Sequence, residues 1–405
     1  MVTKSSNVQD NSGTPKPGIL DGIRILDFTT VMAGPASTRV LADMGAEVIK
    51  IEPANGDQIR IRPPLRDGRS TYFAQLNAGK QSIVLDLKSP DGARIAKELA
   101  AMSDVVVENF RPGVMKRLGL SYEDLSADNP RLIYCAISGF GQTGPAAGKP
   151  AYAPTVHAGS GYDIAHARYQ VDTERPARTG IFIADILSAT NAFGAIQAAL
   201  FHRERTGEGQ FIDVSLLDSM LSLLVFEVQE GQFPTSRRRP VYHPLRVKDG
   251  FVIVAPVSQR IFERMADALG HPEWKTDARF LTINEREQYW DTLMGLIEDW
   301  TRVRTSKQCE EELEKAGVPC SRYNSVAETL KDPQLAHRGS LATVDDGSGP
   351  FLIPNPPFQF SRTDASVKSH VSPLGADSAN ILGNLLGYSS DRIADLASRG
   401  VINAK

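Results

Sequence analysis

Cysteine is scarce: three thiols, Cys135, Cys309 and Cys320, are spread over 405 residues. They are too few and too scattered for a disulfide framework or a cysteine-based metal cluster. Cys135 lies in the apolar run LIYCAI, which suits a buried, inert thiol better than a nucleophile. An excess of one charge is also missing. With 45 basic and 48 acidic residues, the net charge of −3 gives no electrostatic case for nucleic acid as a partner. No stretch approaches the ~18 consecutive apolar residues of a bilayer-crossing helix, so no membrane partner is expected. Met1 to Pro17 is polar, rich in Ser, Asn, Lys and Pro, and holds no apolar core of a signal peptide. It reads as a flexible tail, and a cytoplasmic protein is the expectation. Internal repeats are absent, as is low complexity beyond that tail.

What is present is an alternation of strands and helices. Ile23 to Phe28 (IRILDF) is a short β-branched and aromatic run suited to a buried strand. A loop with Ala33-Gly34-Pro35 leads into a helix through Ala36 to Met44, with Gly45 placed to end it. Glu47 to Glu52 is the next strand, completing a β-α-β unit. Ser89-Pro90 signals a helix start, the hydroxyl capping and the proline at the first helical position. Asp104 to Glu108 and Arg131 to Ile137 are further strands, Ala184 to His202 a long helix, QFIDVSL a strand, and Leu217 to Val228 another helix. This pattern predicts a Rossmann-like α/β domain, its sheet mainly parallel with helices on both faces. Ligands of such sheets gather at the carboxyl ends of the strands. The loops there carry Val31 to Pro35, Asn109 to Gly113 and Gly139 to Gly144.

Composition changes at Gly231 to Arg246, with three consecutive arginines (Arg237, Arg238, Arg239) and three prolines. The predicted organisation is a large domain over 18–230, a linker and smaller α+β domain over 231–335, and a return to the large domain over 336–405. The smaller domain is read from the strand FVIVAPV and helices at Ile261–Leu269, Trp290–Trp300 and Lys307–Lys315. A last helix is predicted over Asp377 to Leu386.

Five motifs then resemble a known family: LDGIRILDFT…AGPASTRVLADMGAEVIKIEP, NAGKQSIVLDLKSPDG, VVVENFRPGVMKRLGL, NPRLIYCAISGFGQTGP and RTGEGQFIDVSLLDSML. They resemble the family III CoA-transferases, which include formyl-CoA transferase, carnitine CoA-transferase and α-methylacyl-CoA racemase. The likeness runs from about Leu20 to the end of the chain. It implies a two-domain α/β subunit threaded through its partner as an interlocked-ring dimer. CoA or acyl-CoA enters as substrate, with no tightly bound cofactor and no metal. Carried over by position, Val31, Ala33, Leu85, Lys88, Asn109, Phe110 and Arg117 are the implied CoA contacts. Lys88 and Arg117 suit phosphates, while Val31, Leu85 and Phe110 offer apolar surface.

Moving CoA between acids without hydrolysis needs a carboxylate that attacks the thioester. The resemblance implies an aspartate for this, in a Gly-Tyr-Asp type motif after the SGFGQTGP loop. Here Tyr152 matches the aromatic and Ala153 occupies the nucleophile position. A methyl group forms no anhydride. The weak substitutes are His157, four residues on, and Asp185, which matches an aspartate of the racemase branch but reads first as a helix cap. Asp163 is a more remote one. The leading expectation is therefore the non-catalytic subunit of a heteromeric CoA-transferase, similar to the succinyl-CoA:benzylsuccinate type, beside a homologous catalytic chain. The alternatives are a homodimer with altered acyl-CoA chemistry (isomerase, racemase or lyase), or a transferase whose aspartate was exchanged for Ala153. Arg237 to Arg239 would suit a dicarboxylate.

Overall fold

The computed structural model describes residues 16–170, 175–235 and 240–403. Six parallel strands form the main sheet: β1 (Arg24–Asp27), β2 (Glu47–Glu52), β3 (Gln81–Val84), β4 (Val105–Glu108), β5 (Ile133–Ser138) and β6 (Phe211–Ser215). Their order is β3-β2-β1-β4-β5-β6. The chain therefore winds outward from β1 in one direction and then, beginning with β4, in the other. Such a reversal leaves a crevice beyond the carboxyl ends of the two central strands, because their following loops diverge to opposite faces.

Each strand alternates its side chains between two cores, as buried parallel strands must. Ile25, Val105, Val107, Ile133, Cys135 and Ile137 face a core shared with helix α1 (Ala33–Asp43) and the long α5 defined below. Leu26, Ile49, Ile51, Ile83, Val106 and Tyr134 face a second core with α3 (Pro90–Ala101). The predicted cap of α3 is present: the Ser89 hydroxyl accepts the Gly92 N–H. A short helix, α2 (Thr71–Asn77), lies between β2 and β3. Helix α4 (Ala153–Gly159) follows β5, then α5 (Ile183–Thr206) and α6 (Leu216–Leu223). By length and composition α5 is apolar enough to cross a membrane. It packs on α1 and α6 through a stripe of Ala184, Ser188, Ala192, Ile196 and Ala199.

Several boundaries differ from the sequence reading. Helix α1 starts three residues earlier, because Gly34 and Pro35 fit its first turn, where backbone donors need no partner. The single helix expected over Leu217 to Val228 breaks at Leu224, whose ψ of 53° is not helical. The helix expected over Asp377 to Leu386 is a short turn, Ser378–Asn380, that widens into a π-helical stretch at Ile381–Leu385, and a further helix, Ser390–Ser398, follows it. Of the tail, residues 1–15 lie outside the described residues. Pro17 is already tied down, its carbonyl accepting the Asp364 N–H.

By internal contacts the chain forms two units, Met1–Val225 with Ala336–Lys405, and Phe226–Leu335. The second has its own antiparallel sheet of β7 (Leu245–Val247), β8 (Gly250–Val254) and β9 (Cys320–Arg322). Its core is built from Phe262, Phe280, Leu293, Ile297, Trp300 and Leu313.

Candidate active site

The crevice of the large unit is held open by a buried charge network under the loop after β1. Asp27, at the end of β1, accepts from the Thr29 N–H and hydroxyl on one oxygen. Its other oxygen accepts from the Thr38 hydroxyl and from Lys80 Nζ at 3.0 Å. Burial alone would push this carboxyl up. Lys80, Lys50 and the hydroxyls overcome that and hold it down at about 2. Lys50 Nζ donates to the Thr29 carbonyl at 2.6 Å and pairs with Asp57 at 3.2 Å. The Asp57 carboxylate in turn accepts the Val31 N–H. Glu52 completes the frame, taking Arg60 through both oxygens and the Asp57 N–H.

Val31 needs that support. Its φ of 67° lies in the left-handed region, where a β-branched side chain is strained by about 1–3 kcal/mol. Across the crevice, the Asn109 side chain from the loop after β4 grips Thr30. It accepts the Thr30 N–H and donates to the Thr30 carbonyl, both at 2.8 Å. The two diverging loops are thereby pinned to each other.

The residues implied as CoA contacts divide accordingly. Val31, Asn109 and Phe110 meet at the crevice between β1 and β4, although the Asn109 side chain is committed to Thr30, while the Ala33 side chain is 3% exposed and packed in the first core. Lys88 and Arg117 are exposed, and among the described residues neither makes a side-chain ion pair. Both are therefore available to phosphate. Leu85 departs from its expected role: its side chain is 1% exposed inside the second core and presents no apolar surface to a ligand. Arg237 to Arg239 lie outside the described residues. Cys135 is buried, and burial pushes its thiol far up, in keeping with an inert thiol.

Ala153 opens α4 and is 1% exposed, packed in the first core with Val156 and Ala184. A carboxylate on this Cβ would be buried among apolar atoms. Ala153→Asp is therefore expected to destabilise the fold by ~3 kcal/mol or more and to add no activity. Denaturant midpoints and a transfer assay on the variant check this. His157 lies one turn on, also 1% exposed, and its Nε2 accepts the backbone N–H of Ala184 at 3.1 Å. Burial lowers its basicity, with Asp163 opposing. Asp163 itself is engaged, accepting the Thr179 hydroxyl.

Asp185 is the third residue of α5 and does not cap it: no side-chain cap bond is made at that end. Its carboxylate is partly exposed, and among the described residues no hydrogen bond or ion pair engages it. Burial raises it to about 6, and among the described residues no cation lowers it again. Tyr72, on α2, faces it. Burial, then Asp185 and Asp57, push that phenol to about 12, so it remains a hydrogen-bond donor at neutral pH. Tyr72, like Val31 and Met32, packs on the small core of Ile59, Phe73 and Leu76, and it feels both Asp185 and the Asp57 that holds the Val31 N–H. Nothing in the local sequence marks Tyr72; it comes to the site from an element distant in the chain.

Two other carboxyls are raised, Asp43 to about 7 and Glu108 to about 8, in both cases by burial first. Neither is free to react. Asp43 is closed against Arg39 at 2.8 Å, and Glu108 is 4% exposed and accepts the Phe110 N–H. Asp185 alone of these combines a raised, unpaired carboxylate with access. Such a group is desolvated enough to be basic and open enough to attack, the state required of a carboxylate nucleophile.

A family model, CoA-transferase family III, matches residues 20–378. The chain belongs to that family. Among its family III relatives, succinyl-CoA:glutarate CoA-transferase of Mus musculus is 34% identical over 97% of this chain and 92% of its own length. The succinyl-CoA–L-malate CoA-transferase beta subunit of Chloroflexus aurantiacus is 31% identical over 97% of this chain and all of its own. A CAIB/BAIF family protein from Brucella suis has a similar solved structure, with a TM-score of 0.79 and 34% identity, covering 91% of this chain and 100% of that one. As a family III enzyme, the chain moves CoA between an acyl-CoA and a carboxylic acid.

Proposed function

We propose that this chain transfers CoA from succinyl-CoA to a dicarboxylic acid, and that Asp185 rather than residue 153 is its nucleophile. The observation that carries the proposal is the Asp185 carboxylate, unpaired among the described residues and raised to about 6, with Tyr72 near enough to feel its charge. The relatives that act on glutarate and L-malate with succinyl-CoA support the acid class. One Asp185 oxygen attacks the thioester carbonyl and expels CoA thiolate, leaving a mixed anhydride. The thiolate then attacks the Asp185 carbonyl, releasing the first acid and leaving a CoA thioester on Asp185. The acceptor carboxylate attacks that thioester, and the returning thiolate takes the acceptor acyl group and frees Asp185. Through these steps the protonated Tyr72 hydroxyl supplies a donor for the oxygen charge that builds as each carbonyl becomes tetrahedral. Lys88 and Arg117 hold the phosphates, and the pinned Thr30–Val31 and Asn109–Phe110 loops hold the pantetheine arm.

On this reading the lone chain is active, and the interlocked dimer pairs two copies of it. The exposed Ile181, Phe182, Leu221 and Leu223 give such a partner apolar surface to cover. A chain purified by itself is expected to transfer CoA from succinyl-CoA to glutarate or malate. The competing reading, a non-catalytic partner of a homologous subunit, draws on the subunit naming of the Chloroflexus relative. It requires transfer to appear only when a second chain is added. The rate is also pH-dependent. Because Asp185 must be ionised to attack, kcat/KM for succinyl-CoA is expected to rise about tenfold per pH unit below 6 and to level above it. A flat profile between pH 5 and 7 contradicts the assignment.

A further inference from the structure

The first turn of α5 lacks the cap its length calls for. Phe182 occupies the N-cap position and has no side-chain acceptor. The Ile183 N–H bonds locally to the Ile181 carbonyl, and the Ala184 N–H has a single outside acceptor, Nε2 of His157 on α4. Because that nitrogen accepts, the imidazole is neutral with its proton on Nδ1. Nδ1 is buried and has no hydrogen-bond partner among the described residues, so the ring gives up one hydrogen bond to make this one. Its orientation is held by Tyr162, whose ring centroid lies 5.5 Å away at 52°. Asp185 is the residue next to Ala184, so the nitrogen that anchors the Ala184 amide also sets where the reactive carboxylate stands.

We propose that His157 is a positioning residue for Asp185, acting as a cap supplied from a separate helix. This rests on Asp185 being the nucleophile, and the test separates the two claims. A substitution that keeps ring volume but removes the acceptor, His157→Phe, leaves the Ala184 N–H unpaired. His157→Gln restores an acceptor, since the glutamine side-chain oxygen reaches about as far from Cα as Nε2 does. The His157→Phe enzyme is expected to lose kcat by ~10- to 100-fold, as a displaced reacting group does, with KM for succinyl-CoA within about twofold. His157→Gln is expected to return kcat to within about threefold of the parent. Hydrogen–deuterium exchange of the segment from 183 to 190 is read in parallel. It is expected to accelerate in His157→Phe and to match the parent in His157→Gln.

Unchanged exchange and unchanged kcat in His157→Phe overturn the proposal. So does a His157→Gln enzyme as slow as His157→Phe, because general packing and not the acceptor would then be at work. A parent chain that is inactive, yet shows faster exchange in His157→Phe alone, supports the cap and sinks only the nucleophile assignment.

Discussion

Asp185→Ala is expected to lower kcat for CoA transfer by at least ~1000-fold while leaving acyl-CoA binding nearly intact. The reason is chemical: without the carboxylate there is no anhydride, and none of the other raised carboxyls among the described residues stands ready. Asp43 is locked to Arg39, Glu108 is buried on the Phe110 amide, and Ala153 has no functional group. The stability of the same variant moves the other way. A carboxyl raised from its ordinary value to about 6 binds its proton more tightly in the fold than in the unfolded chain. Stability therefore falls as pH rises through the interval between the two values, and at neutral pH the ionised group opposes folding. Removing it is expected to leave the Tm of Asp185→Ala equal to or above that of the parent. Lost activity with retained or raised stability is the signature of a strained functional group. A large drop in Tm instead would assign Asp185 a structural role.

The second large effect concerns the network beneath the crevice. Lys80→Met is expected to cost ~3–5 kcal/mol, because it leaves Asp27 buried without its direct cation. The Lys80 ammonium also donates to the Pro35 carbonyl, the Asn77 amide oxygen and the Thr38 hydroxyl, so α1 and α2 are both loosened. Urea denaturation at pH 7 reads the cost as a lower midpoint with the slope unchanged. The acid limb carries an independent check. Asp27 is held down at about 2, below its unfolded value, so its contribution is complete above about 4 and disappears as pH falls toward 2. In Lys80→Met that carboxyl loses its nearest positive charge, and acid unfolding is expected to begin at a higher pH than in the parent. Because Val31 hangs from Asp57, which pairs with Lys50 in the same network, KM for acyl-CoA is expected to rise as well.

These two sites also mark how far sequence reasoning reaches. The parallel sheet was legible because short buried strands such as IRILDF and VVVE have few other ways to be satisfied. Residues 89 and 90 announced α3 through local hydrogen bonding alone. The break at Leu224 had no such mark, since neither glycine nor proline stands there and the residue simply leaves helical ψ. The π-helical stretch at Ile381–Leu385 is likewise imposed by packing against the second core, not by composition.

At the active site the local motif drew attention to residue 153, where the chain has alanine. An aspartate in the first turn of a helix, taken by itself, reads as a cap. What distinguishes Asp185 is a set of long-range facts: among the described residues its oxygens cap nothing and no cation approaches, and Tyr72 comes to it from α2. Each depends on elements far apart in the chain, as do the Lys80–Asp27 and Asn109–Thr30 contacts. The same holds for His157, which reads as a core histidine until its nitrogen is seen to meet the Ala184 amide.

The most direct test is to react the lone chain with succinyl-CoA, reduce it at once with borohydride, and map the modified residue by peptide mass spectrometry. Borohydride converts an aspartyl thioester to the corresponding alcohol. The expected result is that change at Asp185, absent in Asp185→Ala and absent without succinyl-CoA. Modification of a different carboxylate, or an unmodified chain under conditions where CoA is transferred, would contradict the account.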